Sequence, residues 1–142
     1  MEVRGAEPTD LGKIEELLEK EDLPTSGVKE QLLNFVVLDS DAGLIGAGGL
    51  ELYGREALLR SLVVSRDNRG HGVGRRLCDR LESKAREQGA VEIYLLTETA
   101  QEFFAHRGYV LTDRAEAPPS IRECAEFVDL CPDSAVLMCR TA

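Results

Sequence analysis

Apolar residues recur along this chain with two spacings, one typical of helices and one typical of strands. A spacing of three or four residues brings apolar side chains to one helix face. It occurs in a first group (Leu11, Ile14, Leu17 and Leu18) and more clearly in a second group (Val73, Leu77, Cys78, Leu81 and Ala85). Both groups predict amphipathic helices. Short apolar runs between turn residues predict the strands.

The predicted elements follow the order β-α-α-β-β-β-α-β-α-β-(α)-β. After a first strand at residues 2–6 and the first helix, a second short helix is expected to carry Val28, Leu32 and Leu33. The later predicted elements are strands at 35–38, 44–53, 57–64 and 91–96, the helix from Val73, a helix at 100–107, a strand from Val110, a short helix at 120–127 and a closing strand at 135–140. A helix between two strands makes a parallel crossover. The pattern therefore predicts an α/β (α+β) fold with a mixed sheet and helices on both sides.

Size and charge exclude several classes of protein. With 142 residues, the chain is expected to form one domain over residues 1–142. It has no run of about 18 apolar residues and no secretory signal, so no membrane association is expected and the cytoplasm is the default location. The net charge of −9 argues against binding to nucleic acid.

The four cysteines (Cys78, Cys124, Cys131 and Cys139) form no Cys-x-x-Cys pair. A cytosolic chain rarely carries disulfides, and Cys78 belongs to the apolar side of a predicted helix. A soft-metal or arsenical site built from Cys124, Cys131 and Cys139 stays open as an alternative. Thiolate sites usually show tighter spacing, so no metal is otherwise expected.

The most informative motif is Arg-Gly-His-Gly-Val-Gly at residues 69–74, between a predicted strand and the clearest predicted helix. Glycines let the backbone approach an anion closely, and the helix start offers unpaired N–H groups. Arg75 and Arg76 stand where a Walker loop has Lys and Ser or Thr, and the spacing does not match Gly-x-Gly-x-x-Gly. The loop therefore indicates a pyrophosphate site of another kind, unless it is a plain strand-to-helix turn.

Two blocks in this order resemble the GNAT acyltransferase superfamily. Residues 61–74 look like its pyrophosphate motif, and residues 97–109 look like the helix and turn that usually read Asn-x-x-Ala-x-x-Phe-Tyr-x-x-x-Gly-Phe. With the N-terminal strand and helix, the likeness covers most of residues 1–112. The runs at 94–99 and 130–136 look most like the arsenic-resistance N-acetyltransferase branch, near the N-acetylglutamate synthase domains. The resemblance implies acetyl transfer from acetyl-CoA to an amine.

The same resemblance implies a mostly antiparallel sheet of about six or seven strands, with a splayed strand pair after the N-terminal meander. The pantetheine arm of the cofactor would lie in that gap, and an N–H of Val63 or Val64 would face the thioester oxygen. Thr97 could hydrogen-bond the arm. The residues implied to bind the cofactor are Leu62, Val63, Val64, Arg69, Gly70, His71, Gly72, Val73, Gly74, Arg75, Thr97 and Phe104.

The chain departs from the family pattern at two positions that carry acid–base chemistry. Many relatives have a proton-donating Tyr where this chain has Phe104, and a Glu base where it has Arg60. The base is therefore expected to be Glu98, Glu51 or a water chain. The acid is expected to be Ser134, Tyr94, Tyr109 or a water.

Arg60 suggests the class of acceptor, because a guanidinium in the cleft would pair well with a carboxylate. Arg122 could act likewise, so the acceptor is expected to be a small amine such as an amino acid or an amino-acid analogue, attacking directly without an acyl-enzyme. A non-catalytic acyl-CoA sensor and an arsenical- or metal-responsive protein using Cys124 and Cys131 are the alternatives. A homodimer is possible by resemblance, with the closing strand at 135–138 pairing across a two-fold axis.

Overall fold

A computed structural model describes residues 2–124, 127 and 134–142 of the chain. Its seven-stranded sheet has the order β1-β2-β3-β4-β5-β7-β6. The strands are β1 (Val3–Gly5), β2 (Phe35–Ser40), β3 (Gly43–Tyr53), β4 (Glu56–Val64), β5 (Glu92–Thr97), β6 (Val110–Thr112) and β7 (Val136–Thr141). Among these described strands, β4 and β5 are parallel and every other neighbouring pair is antiparallel. The predicted mixed, mostly antiparallel sheet is confirmed.

Four α-helices pack on the two faces of this sheet: α1 (Leu11–Lys20), α2 (Val73–Glu87), α3 (Gln101–His106) and α4 (Pro119–Arg122). The side chains of β2 show which helices pack on which face, since successive strand residues point to opposite sides of the sheet. Phe35 and Val37 are buried in the cluster that holds α1, whereas Val36 and Leu38 are buried in the cluster that holds α2 and Phe104 of α3. Ile121 of α4 packs in a third cluster with Leu58 of β4.

The predicted second helix is wrong. Residues 24–34 are all described, and they form turns followed by a 3-10 helix at Leu32–Asn34. Gly27 interrupts the helical pattern with a φ of +86°, in the left-handed region that an α-helix does not use. Val28 is buried as expected, but Leu33 is 89% exposed. The later prediction of a helix at 120–127 is met only in part, because α4 ends at Arg122 and residues 123 and 124 form a turn and a bend. Residues 125 and 126 lie outside the described part.

The closing strand does not lie at an edge of the sheet, which argues against the expected pairing of residues 135–138 across a two-fold axis. β7 lies between β5 and β6, and its residues Leu137, Met138 and Cys139 pair with both neighbours. The sheet ends instead at β1 and β6. A homodimer as such stays a prediction.

A bulge and a splay change the course of β4. Gly49 of β3 pairs with Arg60 of β4, but Ala47 pairs with Val63, so β4 uses one extra residue over this step. Ser61 within the bulge has a φ of +58°. On its other side β4 pairs with β5 only from Glu56 to Leu58, and beyond that point the two strands separate. The predicted splayed pair is confirmed, and the gap that it opens holds the candidate site.

A buried carboxylate fixes the start of α1. Asp10 is 3% exposed and accepts the N–H of Glu7 at 2.7 Å and two bonds from the Arg4 guanidinium at 2.8 and 3.0 Å. The hydrogen bond from Arg4 is the main reason that the pKa of Asp10 lies below its ordinary value of 3.8. A carboxyl group with a lowered pKa stabilises the folded state above the unfolded pKa and loses this effect as pH falls through the folded pKa.

Replacing Asp10 by Asn is therefore expected to lower the free energy of unfolding by about 2 kcal/mol at pH 7, because Arg4 loses its buried anionic partner and keeps the more exposed Asp39. The difference from the wild type should begin to shrink as the pH falls below 3.8, where the unfolded carboxylate takes up a proton, and should close as the pH passes the lower pKa of the folded state. Urea unfolding between pH 7 and pH 3 measures this. Glu19→Gln, an exposed position on the same helix, is the matched control. Equal stability of the two variants at pH 7 would contradict the assignment.

Candidate active site

The glycine loop leads into α2 with its amide groups exposed. Gly70 and Gly72 have φ values of +81° and +78°, and α2 begins directly after Gly72. The first amide of the helix with an internal partner is that of Arg76, which donates to the Gly72 carbonyl at 3.1 Å. Within the described chain, the N–H groups of residues 70–75 donate to no other protein group. Such a row of amides at the positive end of a 15-residue helix is suited to an anion.

A cavity of about 450 Å³ lies over this loop. Its lining comes from the end of β4, the loop, the first turn of α2 and α3: Val64, Asn68, Arg69, Gly70, Gly72, Val73, Gly74, Arg75 and Phe103. Six of the residues predicted to bind pyrophosphate therefore line one space. His71, the remaining loop residue of that prediction, is exposed.

The two arginines that flank the loop have different positions. The Arg75 guanidinium lies beside the loop, since a Cβ added to Gly72 would be 3.2 Å from its Nη2 atom. Arg69 instead contacts Glu21 at the end of α1, at 2.6 Å, and its Nε donates to the Val64 carbonyl at 3.2 Å. The hydrogen bond from Arg69 is the main reason that the pKa of Glu21 is lowered. An anion at the loop would thus meet Arg75 directly and would compete with Glu21 for Arg69.

A cleft of about 310 Å³ lies where β4 and β5 separate. Residues 58–62 of β4 form one wall, residues 95–99 form the other, and Glu21, Asp22, Leu23 and Pro24 close it from the segment after α1. Among the described residues, β4 has no partner on its β5 side beyond Leu58. Unpaired strand edges accept an extended ligand as they would a further strand. Leu62 therefore lies in the position predicted for contact with the cofactor arm.

Thr97 and Phe104 both line this cleft, and their contact with the cofactor arm stays a prediction. The Thr97 hydroxyl accepts the N–H of Ala100 at 3.1 Å and so fixes the start of α3. Phe104 is 4% exposed and packs edge-on against Phe103 and Tyr109, with ring centroids 5.0 and 5.5 Å apart. Its ring closes the cleft without offering a proton.

Two of the candidate proton donors are directed elsewhere. The Tyr109 hydroxyl donates to Glu82 at 2.9 Å, and the Tyr94 hydroxyl donates to Glu92 at 3.3 Å. Burial is the main cause that raises the pKa of both tyrosines above the ordinary value. Neither tyrosine belongs to the described residues that line the cleft. Tyr94 and Tyr109 are therefore poor choices for protonating a leaving thiolate there.

Two of the three predicted catalytic residues lie together. Glu98 directly follows β5, Ser134 shortly precedes β7, and the two strands pair side by side up to Thr97 and Val136. The Ser134 hydroxyl donates to a Glu98 carboxylate oxygen at 2.5 Å. Both side chains are exposed, and Glu98 lines the cleft. A carboxylate and a hydroxyl are therefore hydrogen-bonded at this end of the cleft, where water can reach them.

Glu51, the third candidate, lies instead in a buried group of polar side chains. It accepts a bond from Arg60 Nη1 at 2.6 Å and another from the Tyr53 hydroxyl. Arg60 also donates to the Ser26 carbonyl at 2.6 Å and to the Ser61 hydroxyl at 3.0 Å. Burial, followed by the bond to Glu51, raises the pKa of Tyr53.

The sequence pattern did not reveal three residues near the site: Glu21, Tyr53 and Ser61. Alternation along β3 places Tyr53 on the same side of the strand as Glu51, which was an available signal. Ser61 carries no such signal, because serine has no preference for positive φ. The contact between Glu21 and Arg69 joins residues 48 positions apart, which no local pattern encodes.

Arg60 lines both the cleft and a larger cavity of about 580 Å³. The larger cavity is also lined by Glu51, Tyr53 and Cys124. Arg122 is exposed at the end of α4 and lines neither of these two cavities. The structure therefore does not place it in the same cavity as Arg60.

The predicted three-cysteine site includes Cys131, which lies outside the described residues. Among the residues that are described, no three His, Cys, Asp or Glu side chains form a group able to hold a metal ion. No helix in that part of the chain is long and apolar enough to cross a membrane. The absence of a metal stays a prediction.

Part of this chain is similar in sequence to known acetyltransferases. Residues 31–111 match a family described as acetyltransferase (GNAT) domain. An amino-acid acetyltransferase of Ralstonia nicotianae is 29% identical over 98 residues, which are 68% of this chain and 22% of that protein. The chain spans between 17% and 62% of the length of the curated relatives that it matches.

Two solved structures that share this fold contain coenzyme A. Rv2747 of Mycobacterium tuberculosis, in complex with CoA and NLQ, superposes with a TM-score of 0.84 at 22% identity, covering 99% of this chain and 98% of that one. N-acetylglutamate synthase of Neisseria gonorrhoeae, complexed with coenzyme A and N-acetyl-glutamate, also gives 0.84 at 23% identity, covering 98% of this chain and 34% of that one. These likenesses show that the fold is shared.

Proposed function

Because this chain belongs to the GNAT acetyltransferase family, we propose that it transfers the acetyl group of acetyl-CoA to the amine of a small molecule, an amino acid or an amino-acid analogue. The family match makes the chain an acetyltransferase with acetyl-CoA as donor. The acceptor, the direct attack without an acyl-enzyme and the cytoplasmic location are parts of the proposal. That the acceptor is not a nucleic acid stays a prediction.

The observation that carries the proposal is the row of unpaired amides at residues 70–75, five of which belong to residues that line one cavity. A cofactor with a diphosphate fits these amides, because they supply several donors and the positive end of a helix dipole. Arg75 lies beside them and adds a full positive charge. From this loop, Leu62, Val63 and Val64 lead back along β4 to the cleft.

When bound, acetyl-CoA supplies an activated thioester; the chain must bind it, deprotonate the amine and protonate the thiolate. We assign the proton transfers to Glu98 and Ser134. Glu98 takes the proton of the ammonium, and Ser134 gives its proton to the leaving sulfur and regains one from Glu98 through their hydrogen bond. The nitrogen gives up a second proton as the amide bond forms, and Glu98 takes it after releasing the first to water. Of the two protons lost by the ammonium, one therefore reaches the sulfur through the pair and the other goes to solvent. Glu51 stays a weaker candidate, because Arg60 and Tyr53 already bond both of its oxygens.

The acceptor's second group is proposed to be a carboxylate. A relative of this chain is named an amino-acid acetyltransferase, and amino acids carry such a group. Arg122, which is exposed, is the contact proposed here, because the Arg60 side chain is 1% exposed and is already paired with Glu51. The binding of a carboxylate by either residue stays a prediction.

Thiol release tests the proposed function directly. The purified protein is mixed with acetyl-CoA and a panel of amino acids, together with the corresponding amides and decarboxylated amines. We expect amine-dependent release of CoA, fastest with one carboxylate-bearing member. Binding of acetyl-CoA by calorimetry without release for any member would instead support the acyl-CoA sensor, which the missing hydroxyl at Phe104 favours. No binding at all would overturn both functions.

A further inference from the structure

The bulge of β4 is held by a buried set of polar side chains that the catalytic assignment does not use. We name Arg60, Glu51 and Tyr53 the Arg60 clamp. Arg60 and Glu51 have side-chain exposures of 1% and 8%, and their ion pair measures 2.6 Å. Breaking a buried pair by removing one partner is costly, since it leaves an uncompensated charge. Such a pair holds its neighbours in fixed positions.

The clamp joins three segments of the chain, two of which, β4 and the segment after α1, border the cleft. Glu51 and Tyr53 belong to β3, and Arg60 belongs to β4. Arg60 Nη2 donates to the carbonyl of Ser26, two residues after Pro24 in the segment that closes the cleft. A single guanidinium therefore connects the neighbouring strand, the bulged strand and the segment after α1.

Arg60 also contacts the strained residue next to it. Its Nε donates to the Ser61 hydroxyl at 3.0 Å, and Ser61 has a φ of +58°. A non-glycine residue keeps such a conformation only when its surroundings enforce it. Between Arg60 and Val63, β4 has one residue more than the paired part of β3. Because successive strand residues point to opposite sides, this extra residue decides whether Leu62 or Val63 faces the cleft. Ser61 and Leu62 both line that cleft.

Two glycines make room for this arrangement. A Cβ on Gly27, whose φ is +86°, would lie 2.7 Å from Arg60 Nη1. Gly49 faces Arg60 across the β3–β4 ladder, and a Cβ there would lie 2.4 Å from the Phe35 ring. The backbone at Gly27 is thus closely fitted to the guanidinium, and Gly49 leaves room for the Phe35 ring beside the ladder position of Arg60.

We infer that Arg60 and Glu51 are positioning residues for acetyl transfer: they fix the bulge at Ser61 and thereby aim the amides of β4 at the thioester. The inference rests on the proposed function. It assigns to the ion pair a role that does not depend on the acceptor's charge. A displacement of about 1 Å in such a site costs on the order of 100-fold in rate.

Four variants test the inference: Arg60→Met, Arg60→Lys, Glu51→Gln and the double variant of Arg60→Met with Glu51→Gln. Steady-state rates are measured with an amino acid and with its decarboxylated amine. We expect kcat to fall at least tenfold in each single variant, by the same factor for both acceptors. The double variant should lose no more than Arg60→Met alone, as for residues that act as one unit. Arg60→Lys keeps the positive charge, and it replaces Arg60→Met in the test if the methionine variant does not fold.

Arg107→Met is the matched control. Arg107 forms a similar group with Glu82 and Tyr109, with an ion pair of 2.6 Å and side-chain exposures of 12% and 5%. None of these three residues belongs to the described lining of the cleft. This variant should lose stability yet keep kcat within about twofold, which separates positioning from a general loss of stability.

Amide hydrogen exchange of residues 61–63 provides a readout that needs no turnover. We expect at least tenfold faster exchange in Arg60→Met and Glu51→Gln, and no change in Arg107→Met. Unchanged exchange together with wild-type kcat would overturn the inference. A second pattern would also overturn it: in Arg60→Met, KM rises for the carboxylate-bearing acceptor and not for its decarboxylated amine, while in Glu51→Gln the same KM falls. Arg60 would then be a ligand of the acceptor. Failure of the wild type to turn over any amine contradicts the proposed function, while exchange still decides the role of the clamp.

Discussion

Replacement of Gly74 by Asp is expected to weaken acetyl-CoA binding by at least 100-fold in a protein that still folds. Gly74 is the second residue of α2 and lines the cavity over the glycine loop. A Cβ there meets only ordinary contacts, with Phe103 at 3.5 Å and Val64 at 3.8 Å. An acidic side chain at a helix start is favourable for the helix, but it puts a negative charge where the diphosphate is expected. At about 4 Å two charges interact by roughly 4 kcal/mol near a protein surface.

Gly74→Asn is the matched control, because it has nearly the same shape and no charge. It should lose affinity only modestly, through the space that its side chain takes. Calorimetric titration with acetyl-CoA, together with thermal unfolding of all three proteins, separates affinity from stability. Equal affinities for the Asp variant and the wild type would mean that the diphosphate does not bind at this loop. The proposed function would then lose the observation that carries it.

Replacement of Glu98 by Gln is expected to lower kcat/KM for the amine by about 100-fold, which is the usual contribution of a general base. Glutamine keeps an oxygen that can accept the Ser134 hydroxyl, so the local hydrogen bond can persist. The affinity for acetyl-CoA should stay unchanged, since the change removes a proton acceptor and no contact with the glycine loop. Steady-state rates with the best amine of the panel give the comparison.

Glu102→Gln controls for the lost charge. Glu102 is exposed in the first turn of α3 and is not among the described residues that line the cleft. This variant should retain the wild-type rate. If Glu98→Gln also retained it, deprotonation through a water chain would replace Glu98 in the proposed mechanism. Ser134→Ala then shows whether the hydroxyl still takes part.

Regular elements of this fold follow from local patterns. The stripe from Val73 to Ala85 predicts α2, and four of its five members are fully buried in the main core while Val73 is 5% exposed. The glycine loop is likewise local, since Gly70 and Gly72 adopt the positive φ that their residue type permits. These features need no knowledge of distant residues.

The features that shape the site depend on residues that are far apart in sequence. The same apolar spacing that predicts a helix over Val28 and Leu32 fails, because Gly27 turns the chain to fit against Arg60, 33 positions later. Arg60 itself resembled a cleft residue, but Glu51, Ser26 and Ser61 bond its guanidinium. The carboxylate of Glu98 meets Ser134 only because β5 and β7 pair. A single sequence does not specify these partnerships in advance.

The short parallel ladder between β4 and β5 has a mechanical consequence. Only three residue pairs, from Glu56 with Glu92 to Leu58 with Tyr94, join the antiparallel set β1–β4 to the antiparallel set β5–β7. The sheet thus consists of two antiparallel plates that meet at a narrow seam. A molecule that fills the wedge would bond to both plates and restrain their relative rotation. Occupancy would then stiffen the whole domain, and the entropy lost in this way would offset part of the binding energy.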